Sequence, residues 1–281
     1  MKRSSKAILT LAILMLSIAA ALAQSPSGKV LTKHIESEIL DTTMSYNIYL
    51  PPDYKANDQN YPLFFLLHGY VGDHTDWVKR GKVDKTMDRL LARDAAKPYV
   101  IVMPDAHNSW YVDSDANESW GNYETAIIKE LRTHIEQHYR IDRSPGSRYI
   151  AGLSMGGYGA LHLAFKYPEL FRAAASMSGA FMPEFPEGYD ILEGTFGRPP
   201  SRKKYQKENP FMLASADSSV QMPVYITCGD DDKRLFHYSV AMYDTLQNKG
   251  YPSELRITDG AHTWKVWSRE IEKVMEFFNQ N

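Results

Sequence analysis

Apolar positions along this chain fall into two kinds of run that alternate. Short, nearly uninterrupted runs have the length and make-up of buried strands: YPLFFLL over Tyr61–Leu67, YVIVMPD from Tyr99, YIAGL over Tyr149–Leu153, FRAAASMSG from Phe171 and PVYITCG from Pro223. SELRIT, from Ser253, predicts one further strand. Between these lie stretches whose apolar residues recur at helical spacing. They predict helices over Val83–Arg93, Tyr123–Tyr139 (Ile127, Ile128, Leu131 and Ile135 on one face), Gly156–Tyr167 closed by Pro168, Ser239–Lys249 and Trp264–Phe278. Val30–Leu50 shows partial alternation with β-branched residues and predicts a hairpin. Strands that alternate with helices imply a mostly parallel sheet with helices on both faces. Met182–Val220 breaks the rhythm with Pro, Gly and charge, and predicts a cap-like insertion.

Composition narrows this picture. A chain of 281 residues with 43% hydrophobic residues can bury one sizeable α/β core, and 24–281 reads as a single domain. The formal net charge of −2, with no long charged block, argues against a nucleic-acid partner. At the N-terminus, Lys2, Arg3 and Lys6 precede the apolar run Ala7–Ala20 and the A-x-A end Ala21-Leu22-Ala23. This is the pattern of a secretory signal peptide over 1–23, too short to span a bilayer comfortably. The expectation is a secreted or periplasmic protein with no stable membrane insertion after cleavage. Cleavage would remove three cations and leave 29 − 34 = −5. Cys228 is the single cysteine, so the chain forms no internal disulfide; it ends an apolar run and reads as a core residue.

The candidate chemistry lies where the third buried strand meets its helix. Gly152-Leu153-Ser154-Met155-Gly156 fits G-x-S-x-G, in which a sharp strand-to-helix turn exposes a serine hydroxyl. A serine nucleophile requires a base, and the base an orienting acid. Three histidines follow Ser154. His162 lies two turns into the helix and His237 opens another. His262 sits between the last strand and last helix, at the carboxyl edge of the sheet, and is the candidate base. The loop after the preceding strand offers Asp230, Asp231 and Asp232, and spacing does not choose among them. An oxyanion would be held by the N–H of Met155 and by that of Tyr70, in the glycine-bearing loop LLHGYVGDHTDW. His68, which borders the core, and His134 and His138, on a helix, read as structural histidines.

In these blocks the chain resembles the esterase D-like family of α/β hydrolases. The matching blocks are LLHGYVGDHTDW, PDAHNSWYVD, GLSMGGYGALHLAFKYPELF, CGDDDKRL and GAHTWKVW, in family order, and the resemblance runs from about Val30 to the C-terminus. The family includes feruloyl esterases, acetyl xylan esterases, S-formylglutathione hydrolases and mycolyltransferases. The resemblance implies an α/β-hydrolase fold, with Ser154 as nucleophile, His262 as base and Tyr70 and Met155 as oxyanion donors. It selects Asp232 as the acid, three residues after the glycine of the CG turn, although Lys233 stands where relatives often carry an apolar residue.

These parts would transfer an acyl group from an ester to water without a cofactor, and no H-x-E-x-H or similar metal cluster occurs. Trp77, Trp110, Tyr111, Trp120, Trp264 and Trp267 lie in or beside the same blocks; Trp77, Trp110, Tyr111 and Trp264 are the candidate contacts for a sugar ring or phenolic acyl group. With export, this favours an esterase removing acetyl or feruloyl groups from a plant polysaccharide such as xylan. A general short-chain carboxylesterase, an S-formylglutathione hydrolase-like enzyme and a catalytically inactive carbohydrate-binding protein are the alternatives.

Overall fold

The computed structural model describes residues 27–114, 120–185, 190–216 and 221–281. The expected signal peptide lies outside the described residues, as do parts of the block after Trp110 and of the insertion.

Eight strands form one sheet in the order β1-β2-β4-β3-β5-β6-β7-β8. β1 (Lys29–Ser37) and β2 (Thr42–Leu50) make the expected hairpin, and β2 joins β4 (Val100–Pro104) antiparallel. β3 (Leu63–Leu67), β5 (Arg148–Leu153), β6 (Ala173–Met177), β7 (Val224–Gly229) and β8 (Ser253–Thr258) are parallel with β4. The central strands are buried on both faces, which is why their sequences read as continuous apolar runs. Edge strand β8 keeps Glu254 and Arg256 exposed.

Alternation across the sheet separates two cores. Phe64, Leu66, Tyr149 and Ala151 point to one face, covered by α2 (Val83–Leu91) and α9 (Trp264–Gln280). Leu63, Phe65, Leu67 and Ile150 point to the other, covered by α3 (residues 123–138), α4 (Met155–Lys166) and α8 (Phe236–Asn248). Each fully buried side chain of this kind stabilises the fold by about 1.5–3 kcal/mol, so the sheet is a stiff support. α1 (Asp76–Lys79) precedes α2, and α5 (Glu193–Phe196), α6 (Arg202–Glu208) and α7 (Pro210–Ser215) belong to the insertion.

Two helices differ from the sequence expectation. α3 contains a π-helical stretch over Ala126–Leu131, which apolar spacing does not reveal. α8 begins three residues early, at Phe236, because the Asp232 carbonyl accepts the Phe236 N–H (2.9 Å) and its carboxylate accepts the Leu235 N–H (3.3 Å). The turn after β7 thus starts the helix.

Register decides where the loops emerge. Leu67 pairs with Gly152, Leu153 with Met177, and Gly229 with Thr258. The carboxyl ends of β3, β5, β6, β7 and β8 therefore share one edge, and the loops carrying Tyr70, Ser154, Asp232 and His262 leave from it. Among the described residues, no helix is long and apolar enough to cross a membrane.

Candidate active site

Ser154 occupies the turn between β5 and α4 with φ 53° and ψ −116°, a conformation that costs of order 1–3 kcal/mol for a residue with a side chain. Two glycines make so sharp a turn possible by close approach. A Cβ on Gly152 would lie 2.2 Å from the Gly156 carbonyl oxygen, and one on Gly156 would lie 2.5 Å from the His68 carbonyl oxygen. The helix start can therefore sit directly against both its own strand and the end of β3. The turn is tied down where the Ser154 N–H donates to Met177 O (2.9 Å) and the Ala180 N–H donates to Ser154 O (3.1 Å).

The Ser154 hydroxyl lies 3.0 Å from His262 Nε2, and His262 Nδ1 lies 2.6 Å from Asp232 Oδ2. With the Nδ1–H donating to the carboxylate, Nε2 carries the lone pair that faces the serine. Asp232 is 2% exposed whereas the His262 side chain is 36% exposed. Burial pushes the Asp232 pKa up, but the hydrogen bond and charge of His262, with the Leu235 N–H, outweigh it and hold the carboxyl below its ordinary value. The other two aspartates serve the turn: Asp230 Oδ1 accepts the Gly260 N–H (3.0 Å), and the Asp231 N–H donates to Gly260 O (3.0 Å). Of the three carboxylates, Asp232 is the one that meets His262. The Trp267 indole and the His262 ring pack edge to face (4.8 Å between centroids, 87°), and the indole Nε1–H donates to Ser178 Oγ (3.2 Å).

Two cavities meet at Ser154 and His262. One, of about 340 Å³, is walled by Trp110, Met155, Ala180, Met182, Ile191 and Leu235, with Tyr70 and Arg234 also lining it. Its apolar wall is built jointly by the insertion (Met182 and Ile191) and the loop after β4 (Trp110). The second, of about 550 Å³, is more polar and is lined by Val71, Asp76, Arg80, Trp264 and Lys265. Tyr70 borders both. Met155 is the first residue of α4, so its N–H has no partner within the helix.

The predicted aromatic contacts separate. Trp110 and Trp264 reach the cavities, although Trp110 is 2% exposed and its Nε1–H donates to Ile191 O (3.2 Å). Trp77 and Tyr111 do not line either cavity. The Trp77 Nε1–H donates to Leu67 O (2.9 Å), and the Tyr111 hydroxyl donates to His68 O (2.9 Å), so both are buried beneath the loops they were expected to decorate. His68 is a buried structural histidine. Its Nδ1–H donates to Gly69 O (2.8 Å), its Nε2 accepts the Ala106 N–H (3.0 Å), and burial pushes its pKa down, keeping the ring neutral.

Met182 and Ile191 lie in the insertion that the sequence marks out, while sequence reasoning did not single out Leu235, Arg80 or Lys265. For the last two a signal existed, since each stands within a few residues of a tryptophan of the site blocks.

Among the described residues, Glu124, His162 and Glu208 form the one carboxylate–histidine group compact enough for a metal. The Lys166 ammonium lies 2.9 Å from a Glu124 oxygen and 2.6 Å from a Glu208 oxygen and already supplies the positive charge.

Residues 37–278 match the family described as "Putative esterase". The chain is 27% identical over 248 residues to an endo-1,4-beta-xylanase/feruloyl esterase of Xylanibacter ruminicola, an alignment that covers 85% of this chain and 30% of that protein. It thus spans less than a third of that relative. It is 24% identical over 238 residues to an acetyl esterase of Caldicellulosiruptor saccharolyticus, covering 80% of this chain and 86% of that one. Among solved structures, a ferulic acid esterase superposes with a TM-score of 0.79 at 28% identity, covering 90% of this chain and 98% of the other. S-formylglutathione hydrolases are further matches.

Proposed function

The chain belongs to the Putative esterase family of α/β-hydrolase fold, and from that premise we propose that it is an exported serine esterase that removes feruloyl or acetyl groups from a plant polysaccharide. The observation that carries this reading is the hydrogen-bonded chain Ser154–His262–Asp232 at a strained turn that opens on an apolar cavity. Ser154 Oγ attacks the ester carbonyl while His262 Nε2 takes its proton. Asp232 holds the imidazole with its hydrogen on Nδ1 and stabilises the imidazolium that forms. The N–H groups of Tyr70 and Met155 stabilise the oxyanion, at a helix N-terminus that favours negative charge. His262 returns the proton to the departing alcohol. Water then repeats the sequence on the acyl-enzyme, releasing the acid and restoring the serine.

The apolar cavity suits the acyl group and the polar one the alcohol. Trp110, Met182, Ile191 and Leu235 offer a surface for an aromatic acyl chain, and 340 Å³ lies within the range of small-molecule sites. Trp264, Arg80, Asp76 and Lys265 offer a stacking face and hydrogen-bonding groups for a sugar. The names of the two esterase relatives support feruloyl or acetyl esters. Export, read from residues 1–23, supports an extracellular polymer over S-formylglutathione, the alternative that the further matches raise.

The reading is tested by assaying the mature chain on methyl ferulate, acetylated xylan and p-nitrophenyl acetate. Hydrolysis of at least one of the first two is expected, with Ser154→Ala folded and reduced on the order of 10³-fold or more. Activity on p-nitrophenyl acetate alone would reduce the proposal to a general carboxylesterase. Near-normal turnover by Ser154→Ala would remove the serine mechanism.

A further inference from the structure

The turn that carries Tyr70 is held in an unfavourable shape from outside. The Gly72 N–H donates to Gly69 O (3.0 Å) and closes a turn whose central residues are Tyr70 and Val71. Val71 has φ 57°. A β-branched residue there is a steric outlier, at a cost in conformational energy because its Cβ crowds the following carbonyl oxygen. Packing does not offset this cost, because Val71 is 81% exposed. The contact that does is polar: Asn108 Oδ1 accepts the Val71 N–H at 2.7 Å.

The other side of the turn is fixed as well. Gly69 O accepts both the Gly72 N–H and the His68 Nδ1–H. A trans peptide points its C=O and N–H in opposite directions, so the Tyr70 N–H of that same unit is directed away from these partners. The next unit along carries the Val71 N–H, and it is pinned by Asn108.

Asn108 is itself well supported. It lies between His107 and the pair Trp110–Tyr111, all three with positive φ, in a compact loop closed by Ser109 N–H to Ala106 O (3.2 Å) and Val112 N–H to Ser109 O (3.2 Å). Its carbonyl receives the Thr195 hydroxyl of the insertion at 3.5 Å. One short loop thus places Trp110 in the apolar cavity and anchors the turn that bears Tyr70.

On the esterase reading above, we propose that Asn108 is a positioning residue for the oxyanion hole. It holds Val71 in the left-handed region and so fixes where the Tyr70 N–H points. Without it, Val71 relaxes toward ordinary backbone angles and the N–H swings off the developing oxyanion. The ground-state ester, held by the cavity walls, is little affected.

The test is kinetics of Asn108→Ala, Asn108→Asp and the double variant Val71→Gly/Asn108→Ala on methyl ferulate and p-nitrophenyl acetate, with Ser154→Ala as reference. Binding of an aryl boronic acid, which forms a tetrahedral anion on the serine, is measured beside binding of ferulate. Asn108→Ala is expected to lower kcat ~10- to 100-fold on both esters with KM unchanged, less than outright loss of an oxyanion donor. Boronate affinity should fall in parallel while ferulate affinity stays the same. Asn108→Asp, which keeps an acceptor oxygen, should retain most of the rate. The double variant should recover much of what Asn108→Ala loses, because glycine adopts positive φ without cost. A wild-type kcat in Asn108→Ala, a loss in KM alone, or no recovery in the double variant would overturn the proposal. An inactive wild type, or an active Ser154→Ala, would instead remove the esterase reading on which it rests.

Discussion

Among the described residues, two histidine–carboxylate pairs are shorter than 3 Å, and only one of them faces a cavity. His262 Nδ1 lies 2.6 Å from Asp232, and His162 Nε2 lies 2.8 Å from Glu124. They differ in what the second ring nitrogen meets. For His262 it is the Ser154 hydroxyl at 3.0 Å, at the junction of two cavities. For His162 it is the Glu208 carbonyl at 2.9 Å, and the ring is fully buried. Both nitrogens of His162 face oxygens of the protein, so neither faces a substrate. Lys166 and the Tyr167 hydroxyl complete its surroundings, the latter donating to Glu124 Oε1 at 2.6 Å. This second cluster joins α3, α4 and the insertion from beneath, while Tyr158 donates to the same Glu208 carbonyl (2.8 Å). A histidine–carboxylate pair is therefore not by itself a reactive site. Access and a hydrogen-bond donor on the far nitrogen separate the roles.

The largest effect that sharpens this contrast concerns the acid. Asp232→Asn should lower kcat on the order of 10³-fold in a folded protein, because the amide favours the wrong tautomer of His262. Asp231→Asn should change kcat little, since the Asp231 carboxyl is exposed and its backbone N–H carries the turn. Steady-state kinetics of the two variants decide the matter; a severe Asp231→Asn with a mild Asp232→Asn would reverse the assignment.

The second pair should respond in stability. Burial pushes the Glu124 pKa up, but the hydrogen bond and charge of His162, with Tyr167 and Lys166, outweigh it and hold the group at about 2, below its ordinary 4.5. A carboxyl with a lowered folded-state pKa stabilises the fold fully above the unfolded value and loses that stabilisation as pH falls through the folded one. Between pH 4.5 and 2 this group should cost the wild type on the order of a few kcal/mol. In Glu124→Gln the unfolding free energy near neutral pH should be lower by a similar amount and less steep in acid, with kcat of the folded enzyme close to wild type. Chemical denaturation across that pH range measures it. A large kcat loss in a stably folded Glu124→Gln would mean that the buried cluster reaches the reaction.

The smallest effect lies in the cavity wall. Ile191→Ala removes methyl groups from the apolar cavity without touching the hydrogen-bonded chain. It should weaken kcat/KM for methyl ferulate by about 1 kcal/mol and leave p-nitrophenyl acetate nearly unchanged. Equal losses on both esters would show that the wall supports the site generally.

The sheet, the turn at Ser154 and the position of His262 were legible because each rests on local pattern: apolar runs of strand length, glycines at a forced close approach, and chain order along one edge. The choice of Asp232 rests on resemblance, since three neighbouring aspartates carry no spacing signal; the fold buries Asp232 against His262 and leaves Asp230 and Asp231 exposed. Trp77 and Tyr111 were misplaced because an aromatic residue in a loop reads the same whether it covers a cavity or plugs the space beneath it. Left-handed backbone at Trp110 and Tyr111 turns the chain sharply there, and Gly159 lets the Tyr111 ring lie against α4, where a Cβ would stand 2.3 Å from it. The walls from Met182 and Ile191 depend on how an irregular insertion folds back, held by the Tyr205 hydroxyl and Asn209 Nδ2 on the Met182 carbonyl (2.8 and 2.7 Å). No period in the sequence encodes such tertiary anchoring.

The central claim is that Ser154 becomes acylated, with His262 as its base. The most direct measurement is intact-mass and peptide mapping after exposure to a fluorophosphonate, which phosphonylates an activated serine with loss of fluoride. The account predicts a single adduct, carried by the peptide that contains Ser154, lost in Ser154→Ala and formed far more slowly in Asp232→Asn. An adduct on any other residue, or labelling that persists in Ser154→Ala, would contradict it.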